Sequence, residues 1–183
     1  VAKAAGDGTT WLLAPSGHST MAAMRKALPF RAVADFAWTS TVTTYPMVMA
    51  VPPSSPIRTM ADVIEAARKR PLSFSSVGVG TAHHLLGEWI NAEQGIQMLH
   101  VPFKGGTAAA TEVIAGRVDI LIETMTAALP FVQSGQLRAV AVSSAAPAPV
   151  LPGVPTMSAT IPSLQYESWL GVVLPGSTPA NIV

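Results

Sequence analysis

Cysteine is absent from all 183 residues. That removes disulfides, thiolate metal sites and cysteine nucleophiles from consideration. It suits an oxidising compartment without demanding one. Charge is scarce as well: 11% of residues are Asp, Glu, Lys or Arg, and the formal net charge is +1. A nucleic-acid binder needs a clustered basic face, and no run of either sign is present to draw a polyanion or a membrane surface. Long apolar runs are missing too, although 49% of residues are hydrophobic and the mean hydropathy is +0.41. Every apolar run is broken by Pro, Gly or a polar residue well short of the ~20 residues a spanning helix needs. The apolar side chains must therefore fill an interior, enough for one sizeable core or two small lobes.

No export signal is visible. The chain opens on Val-Ala-Lys-Ala-Ala and the turn-like Gly6-Asp7-Gly8, as though inside an element. It closes just past Thr178-Pro179, a helix-start signal with Thr at the N-cap and Pro in the first helical position. Both ends read as cut, so the missing signal carries no weight.

What is present is a rhythm of strand, loop, helix and glycine. Residues 10–15 (TWLLAP) form a short apolar strand, 16–19 a loop and 20–28 a helix closed by Pro29. Residues 36–44 and 46–51 are β-prone, rich in Val, Thr and aromatics. Residues 52–56 make a stiff turn. Thr59 caps a helix through Arg70, with Met60, Val63, Ile64 and Ala67 at helical spacing. Residues 72–75 are a strand. Residues 82–94 are a helix with Leu85, Trp89 and Ile90 inward, and Gly95 fits the left-handed position after it. Strands at 98–101, 118–122 and 137–142 alternate with helices at 108–115 and 126–134, the latter containing Pro130.

The helix–glycine–strand step occurs three times, at Gly95, Gly116 and Gly135. Strands alternating with helices imply right-handed crossovers and a parallel-rich sheet, and nearly continuous apolar strands imply helices on both faces. The expected fold class is α/β. Residues 145–162 are Pro-rich and irregular. The strand at 168–175 (SWLGVVLP) echoes 46–52 (PMVMAVP): both end in Pro and lead into small polar residues. They read as paired hinge strands. Residues 1–51 and 165–183 are then part of a first lobe with the hinge strands, and 52–164 a second, doubly wound lobe.

Two loops carry the candidate chemistry. Ser76-Val77-Gly78-Val79-Gly80-Thr81 lies between a strand and a helix. Ligands of open α/β sheets bind beyond the carboxyl ends of strands. Glycines permit close backbone approach, and a helix N-terminus offers free N–H groups and a positive dipole end. Such a loop holds a carboxylate without Arg or Lys. The residues alone are equally compatible with a plain βα turn, and the spacing is not G-x-G-x-x-G, so no dinucleotide fingerprint exists. Thr81 fits the N-cap, or its hydroxyl serves a ligand. Phe103-Lys104-Gly105-Gly106-Thr107 is the matching loop of the next unit, with Thr107 able to cap. His83, His84 and Glu88 bring metal ligation to mind, since His84 and Glu88 are four apart on one helix face. Two ligands do not make a zinc site and no third is evident; no metal and no cofactor are expected. Glu123 follows a strand end, with structural and ligand-facing roles both open. Trp169 reads first as core filler.

Six segments in order resemble a known family: VAKAAGDGTTWLLAPSG, LSFSSVGVGTAHHLLGE, VPFKGGTAAATEVIAGRVDILIE, GQLRAVAVSS, LPGVPTM and YESWLGVVLPGSTPANIV. Together they are similar to Bug/TctC-type solute-binding receptors of tripartite tricarboxylate transporters. The resemblance implies a two-lobed periplasmic binding protein-like fold, truncated here at both ends. It also implies capture of a small organic carboxylate in an interlobe cleft, periplasmic localisation, and delivery to a membrane permease. By family position it assigns ligand contacts to Ser16, Gly17, Ser76, Gly78, Gly80, Thr81, His84, Phe103, Gly105, Gly106, Thr107 and Glu123. Ser16 and Gly17 belong to the opposing lobe's face, and His84 braces the first loop. Phe103 stands where the family carries Tyr, so a hydroxyl is lost. The family's first strand and acidic glycine-rich loop lie outside this sequence, as do its C-terminal helices. A monomer without nucleic-acid partners and without enzymatic activity is expected.

Two other readings compete. A hydrolase would use Ser76 or Ser16 with His84, yet no G-x-S-x-G elbow is present. The effector-sensing domain of a transcription regulator shares this lobe design, but needs a DNA-binding helix-turn-helix upstream. An export signal upstream favours the receptor instead.

Overall fold

The computed structural model describes all of residues 1–183. They divide into two compact units, Val1–Thr44 with Ser168–Val183, and Tyr45–Glu167. No helix is long and apolar enough to cross a membrane.

In the first unit β1 (Leu12–Pro15) pairs antiparallel with β7 (Glu167–Pro175), Leu12 opposite Val173 and Pro15 opposite Leu170. β7 also neighbours β2 (Phe36–Val51). The core is small: Ala14, Phe36 and Val173 are buried, with Leu12, Phe30 and Trp169 packed against them. The helix here differs from expectation at both ends. α1 spans Gly17–Met24, with no loop between it and β1. Ser16 already has helical backbone angles, and its side chain caps nothing because its hydroxyl is bonded to Ser168. The helix stops at Met24 because only His18 along it is buried, so propensity has no packing to extend it toward Leu28.

The second unit holds the remaining elements: α2 (Met60–Lys69), β3 (Ser73–Ser76), α3 (Ala82–Gln94), β4 (Leu99–Pro102), α4 (Gly106–Ile114), β5 (Ile120–Thr124), α5 (Met125–Gln133) and β6 (Arg138–Val142). β3 is parallel to both β4 and β5, as the βαβ rhythm predicts. β2 is antiparallel to β5 on one edge and to β6 on the other, so the sheet is mixed, in the order β6-β2-β5-β3-β4. Alternate residues of β2 feed two separate cores: Met47, Met49 and Val51 in one, Val48 and Ala50 in the other. α2 and α3 cover the first face through Met60, Val63, Ile64, Leu86 and Ile90. α4 and α5 cover the second through Ala109, Ala110, Val113, Met125 and Ala128. The unit is therefore three layers deep, and both faces of its sheet are dry.

Local signals start and stop these helices. Thr59 and Asp62 form a reciprocal capping box at α2. Thr81 caps α3 and Gly95 ends it at φ +59°. The 52–56 turn is fastened to β6 by Arg138, whose guanidinium donates to the carbonyls of Pro53 (2.8 Å), Ser55 (2.6 Å) and Ile57 (2.7 Å). Two expectations need correction. The inward face of α3 carries Leu86 and Ile90, while Leu85 and Trp89 are half-buried. α4 begins at Gly106 with Gly105 in the cap position, so Thr107 lies inside the helix and caps nothing.

The shift to Leu86 on α3 places Gly87 directly over fully buried Phe74. A Cβ on Gly87 would lie 2.3 Å from Phe74 Cε2. Gly87→Ala is expected to destabilise the protein by about 1–3 kcal/mol through overpacking. This reverses the ~1 kcal/mol that alanine normally contributes in a helix. Urea unfolding midpoints measure it.

Candidate functional site

Parallel pairing puts the ends of β3 and β4 side by side, with Ser76 opposite Pro102. The pairing carries into the loops, where the Phe103 N–H donates to the Ser76 carbonyl at 2.9 Å. Both βα loops therefore leave the same carboxyl edge next to one another, where an open α/β sheet presents its ligands. Each leads into a helix N-terminus, α3 for the first loop and α4 for the second.

The first loop is held by its own side chains. Gly78 (φ +138°) and Gly80 (φ +78°) adopt backbone angles that residues with a Cβ rarely take. The Ser76 hydroxyl accepts from the Gly78 N–H (3.0 Å) and lies 3.1 Å from the Gly78 carbonyl. Thr81 Oγ1 donates to that carbonyl at 2.7 Å and accepts from the His84 N–H at 3.5 Å. The Gly80 N–H donates to His84 Nδ1 at 3.2 Å. The Ser76 and Thr81 hydroxyls are thus engaged within the loop, while Val79 at its tip is exposed.

In the second loop Gly105 sits at φ +114° and Gly106 opens α4. Phe103 packs its ring against the core beneath α4 and α5, and Lys104 and Thr107 are exposed. Under this loop lies Glu123, 3% exposed near the end of β5. Its Oε1 accepts from His83 Nε2 (2.8 Å) and from the Thr124 N–H (2.7 Å). Its Oε2 has no hydrogen-bond partner, nor has His83 Nδ1. A Cβ on Gly106 would stand 2.3 Å from that Oε2, so the glycine makes room for the carboxylate. Burial pushes the Glu123 carboxyl up, but the His83 hydrogen bond and charge and the Thr124 N–H outweigh it, leaving it below the ordinary glutamate value. The carboxylate is thereby bonded to the first turn of α3 and lies against the first residue of α4.

Two histidines outside the expected ligand set belong to this edge, His83, weighed only for metal ligation, and His100. His83 faces Glu123. His83, His84 and Glu88 therefore do not converge: His84 Nε2 lies 3.7 Å from Glu88 Oε1, and His83 points elsewhere. His100 on β4 reaches Ser76 Oγ with its Nε2 at 2.5 Å and stacks on His84 with ring centroids 3.9 Å apart. The Ser–His contact that forms is thus Ser76–His100, not a pairing with His84. Ser76 is fully buried and already bonded to Gly78, a poor disposition for a nucleophile. The sequence signal for His100 was a single polar residue in a four-residue strand, which is faint.

Ser16 and Gly17 lie in the first unit. The Ser16 hydroxyl is 2.7 Å from that of Ser168, and its N–H donates to the Trp169 carbonyl at 3.0 Å. Gly17 borders an apolar groove of about 740 Å³ lined also by Leu12, His18, Met21, Phe30 and Phe36. His18 closes one wall, its Nε2 2.7 Å from the Ala32 carbonyl and its ring against Phe30 and Phe36.

Residues 1–183 match the family described as "Tripartite tricarboxylate transporter family receptor" over their whole length. The UPF0065 protein in the tcbD-tcbE intergenic region of a Pseudomonas species is 35% identical over 187 residues, covering 100% of this chain and 56% of that protein. A Rhodopseudomonas palustris protein solved with adipate superposes with a TM-score of 0.91 at 30% identity, covering 100% of this chain and 62% of the other. MatC of Rhodopseudomonas palustris, solved with bound malate, gives a TM-score of 0.88 at 26% identity, covering 100% and 63%. The chain spans a little over half the length of that curated relative.

Proposed function

We propose, from the premise that the chain belongs to the tripartite tricarboxylate transporter receptor family, that it is the ligand-holding part of a receptor for a small organic dicarboxylate. In this reading the protein works in the periplasm, leaves its ligand chemically unchanged and hands it to a membrane permease. The observation that carries the proposal is the pair of glycine loops on adjacent parallel strands, each opening into a helix N-terminus. Two such termini present backbone N–H groups and positive dipole ends to an anion. The backbone N–H groups of the two glycine loops, 77–81 and 105–107, supply the contacts. Ser76, Thr81, His84 and Glu123 act behind them, holding the loops in shape. Phe103 contributes packing. We take the two compact units as the two lobes, Ser16 and Gly17 lying in the first.

The structural relatives with adipate and malate narrow the first probes to dicarboxylates of four to six carbons. A thermal-shift titration over a panel of mono-, di- and tricarboxylates, with MatC as the responding control, tests the proposal. A true ligand at ~100 times its dissociation constant adds about 2.7 kcal/mol of stability. Stabilisation by one member, recovered unchanged by mass spectrometry, is the expected result. Consumption of that ligand makes the protein an enzyme. No response to any member, while MatC responds, overturns the carboxylate reading.

A further inference from the structure

The stacked pair His84–His100 is bonded to the 76–81 loop through Gly80 and Ser76. His84 Nδ1 accepts the Gly80 N–H at 3.2 Å, so that nitrogen must carry a lone pair and the ring proton must sit on Nε2. An imidazolium has no acceptor to offer, and its N–H would oppose that of Gly80. The His100 ring covers His84 at 3.9 Å and holds Ser76 Oγ, which in turn anchors Gly78. Two of the loop's glycines are therefore tied to one imidazole pair. The groups that meet the pair come from three elements. Glu88 of α3 lies 3.7 Å from His84 Nε2. Phe74 and Ser76 of β3 do not titrate here, and β4 supplies His100 itself. His83, next in sequence, is turned to Glu123.

We propose that His84 and His100 are positioning residues forming a proton-sensitive latch, which keeps the 76–81 loop in its ligand-holding shape only while His84 is neutral. The role in ligand capture rests on the receptor reading above; the latch itself does not. Burial and the neighbouring His84 lower His100 from the ordinary imidazole value, with Glu88 offsetting them. The sign follows from the geometry: affinity is full while His84 Nδ1 accepts the Gly80 N–H, and is lost where that nitrogen takes up a proton. An imidazolium that touched the anionic ligand directly would give the opposite sign.

The test has a ligand-free arm and a ligand arm. In the ligand-free chain, the Gly80 amide signal in nitrogen–proton NMR is followed from pH 7.5 to 5.5 in the wild type and in His84→Asn, whose Oδ1 replaces the acceptor without titrating. The Gly80 signal is expected to move with an imidazole titration in the wild type and to stay fixed in H84N. In the ligand arm, malate and adipate are titrated calorimetrically at pH 7.5 and 6.0. Wild-type affinity is expected to fall about fivefold or more relative to H84N over that interval, which cancels any ionisation of the ligand itself. A Gly80 signal that does not titrate in the wild type overturns the latch, and that measurement needs no variant. Affinity that rises on acidification overturns it as well. A titrating Gly80 with no response to any carboxylate would instead sink the receptor reading and leave the latch standing.

Discussion

Gly106→Ala is expected to destabilise the second unit by about 1–3 kcal/mol, although an alanine at the start of a helix ordinarily does the reverse. Gly106 is the first residue of α4, and its φ is not positive, so backbone freedom is not the reason for the glycine. The reason is space. A Cβ there would lie 2.3 Å from Glu123 Oε2 and 2.9 Å from its Cδ. The carboxylate cannot swing away cheaply, because Oε1 is held by His83 and by the Thr124 N–H in a buried setting. Either α4 moves off the sheet edge, or the Glu123 contacts break. Both outcomes also disturb the N-terminus proposed to face the anion, so dicarboxylate affinity falls along with stability. Gly17→Ala is the matched control. Gly17 likewise opens a helix, but a Cβ there meets nothing within 4 Å. That substitution should be neutral or stabilising by up to ~1 kcal/mol. Urea unfolding of the two variants side by side decides the matter. If both behave alike, Glu123 is mobile and the carboxylate does not lock the edge.

The same two glycines show where a sequence stops being readable. Thr59, Thr81, Gly95 and the three helix–glycine–strand steps are signals that act within a few residues, and the structure uses them as written. Gly17 and Gly105-Gly106 look like loop in sequence because glycine disfavours helix. At Gly106 a carboxylate from seventeen residues downstream overrides that preference. β2 reads as two runs, 36–44 and 46–51, the second opening on Pro46, yet it is one strand of sixteen residues. Proline is tolerated there because ladder pairing with β5 begins one residue later, at Met47 opposite Thr124, so no donor is missed. The one-residue error on α3, Leu85 for Leu86, follows from a stretch in which apolar side chains occupy several faces and Gly87 marks the closest approach to Phe74.

The candidate site was legible as two loops and illegible as a network. Glycine spacing and strand ends located residues 76–81 and 103–107 because backbone conformation is a local property. The pairings beneath them are not local: His83 with Glu123, forty residues apart, and Ser76 with His100, twenty-four apart. On a helix adjacent histidines point about 100° apart. Which of His83 and His84 faces the buried carboxylate is therefore decided by the register of α3 against β5, and no spacing rule within α3 reports that.

Glu123→Ala is expected to cost about 2–5 kcal/mol, because two buried donors, His83 Nε2 and the Thr124 N–H, lose their acceptor at about 1–3 kcal/mol each. His83, about nine-tenths buried, would be left with neither ring nitrogen bonded, since its Nδ1 already lacks a partner. Glu123→Gln keeps an oxygen for His83 and should cost clearly less. The pH dependence separates charge from shape. Folding holds the Glu123 carboxyl below the ordinary value of 4.5: burial opposes the charged form, but the His83 and Thr124 hydrogen bonds prevail. A carboxyl whose folded pKa is depressed contributes stability that is complete above its unfolded pKa and is lost as pH falls through the folded one. The wild type should therefore lose part of its stability below about pH 4.5, and that part should vanish in Glu123→Gln, where nothing titrates. Urea unfolding at steps from pH 7 to pH 3 reads both slopes. A variant slope as steep as the wild type's would mean that other carboxylates, such as Asp119 held by Ser73 and Arg70, carry the acid sensitivity. An alanine variant within ~1 kcal/mol of wild type would mean that α3 and α4 are set by core packing alone.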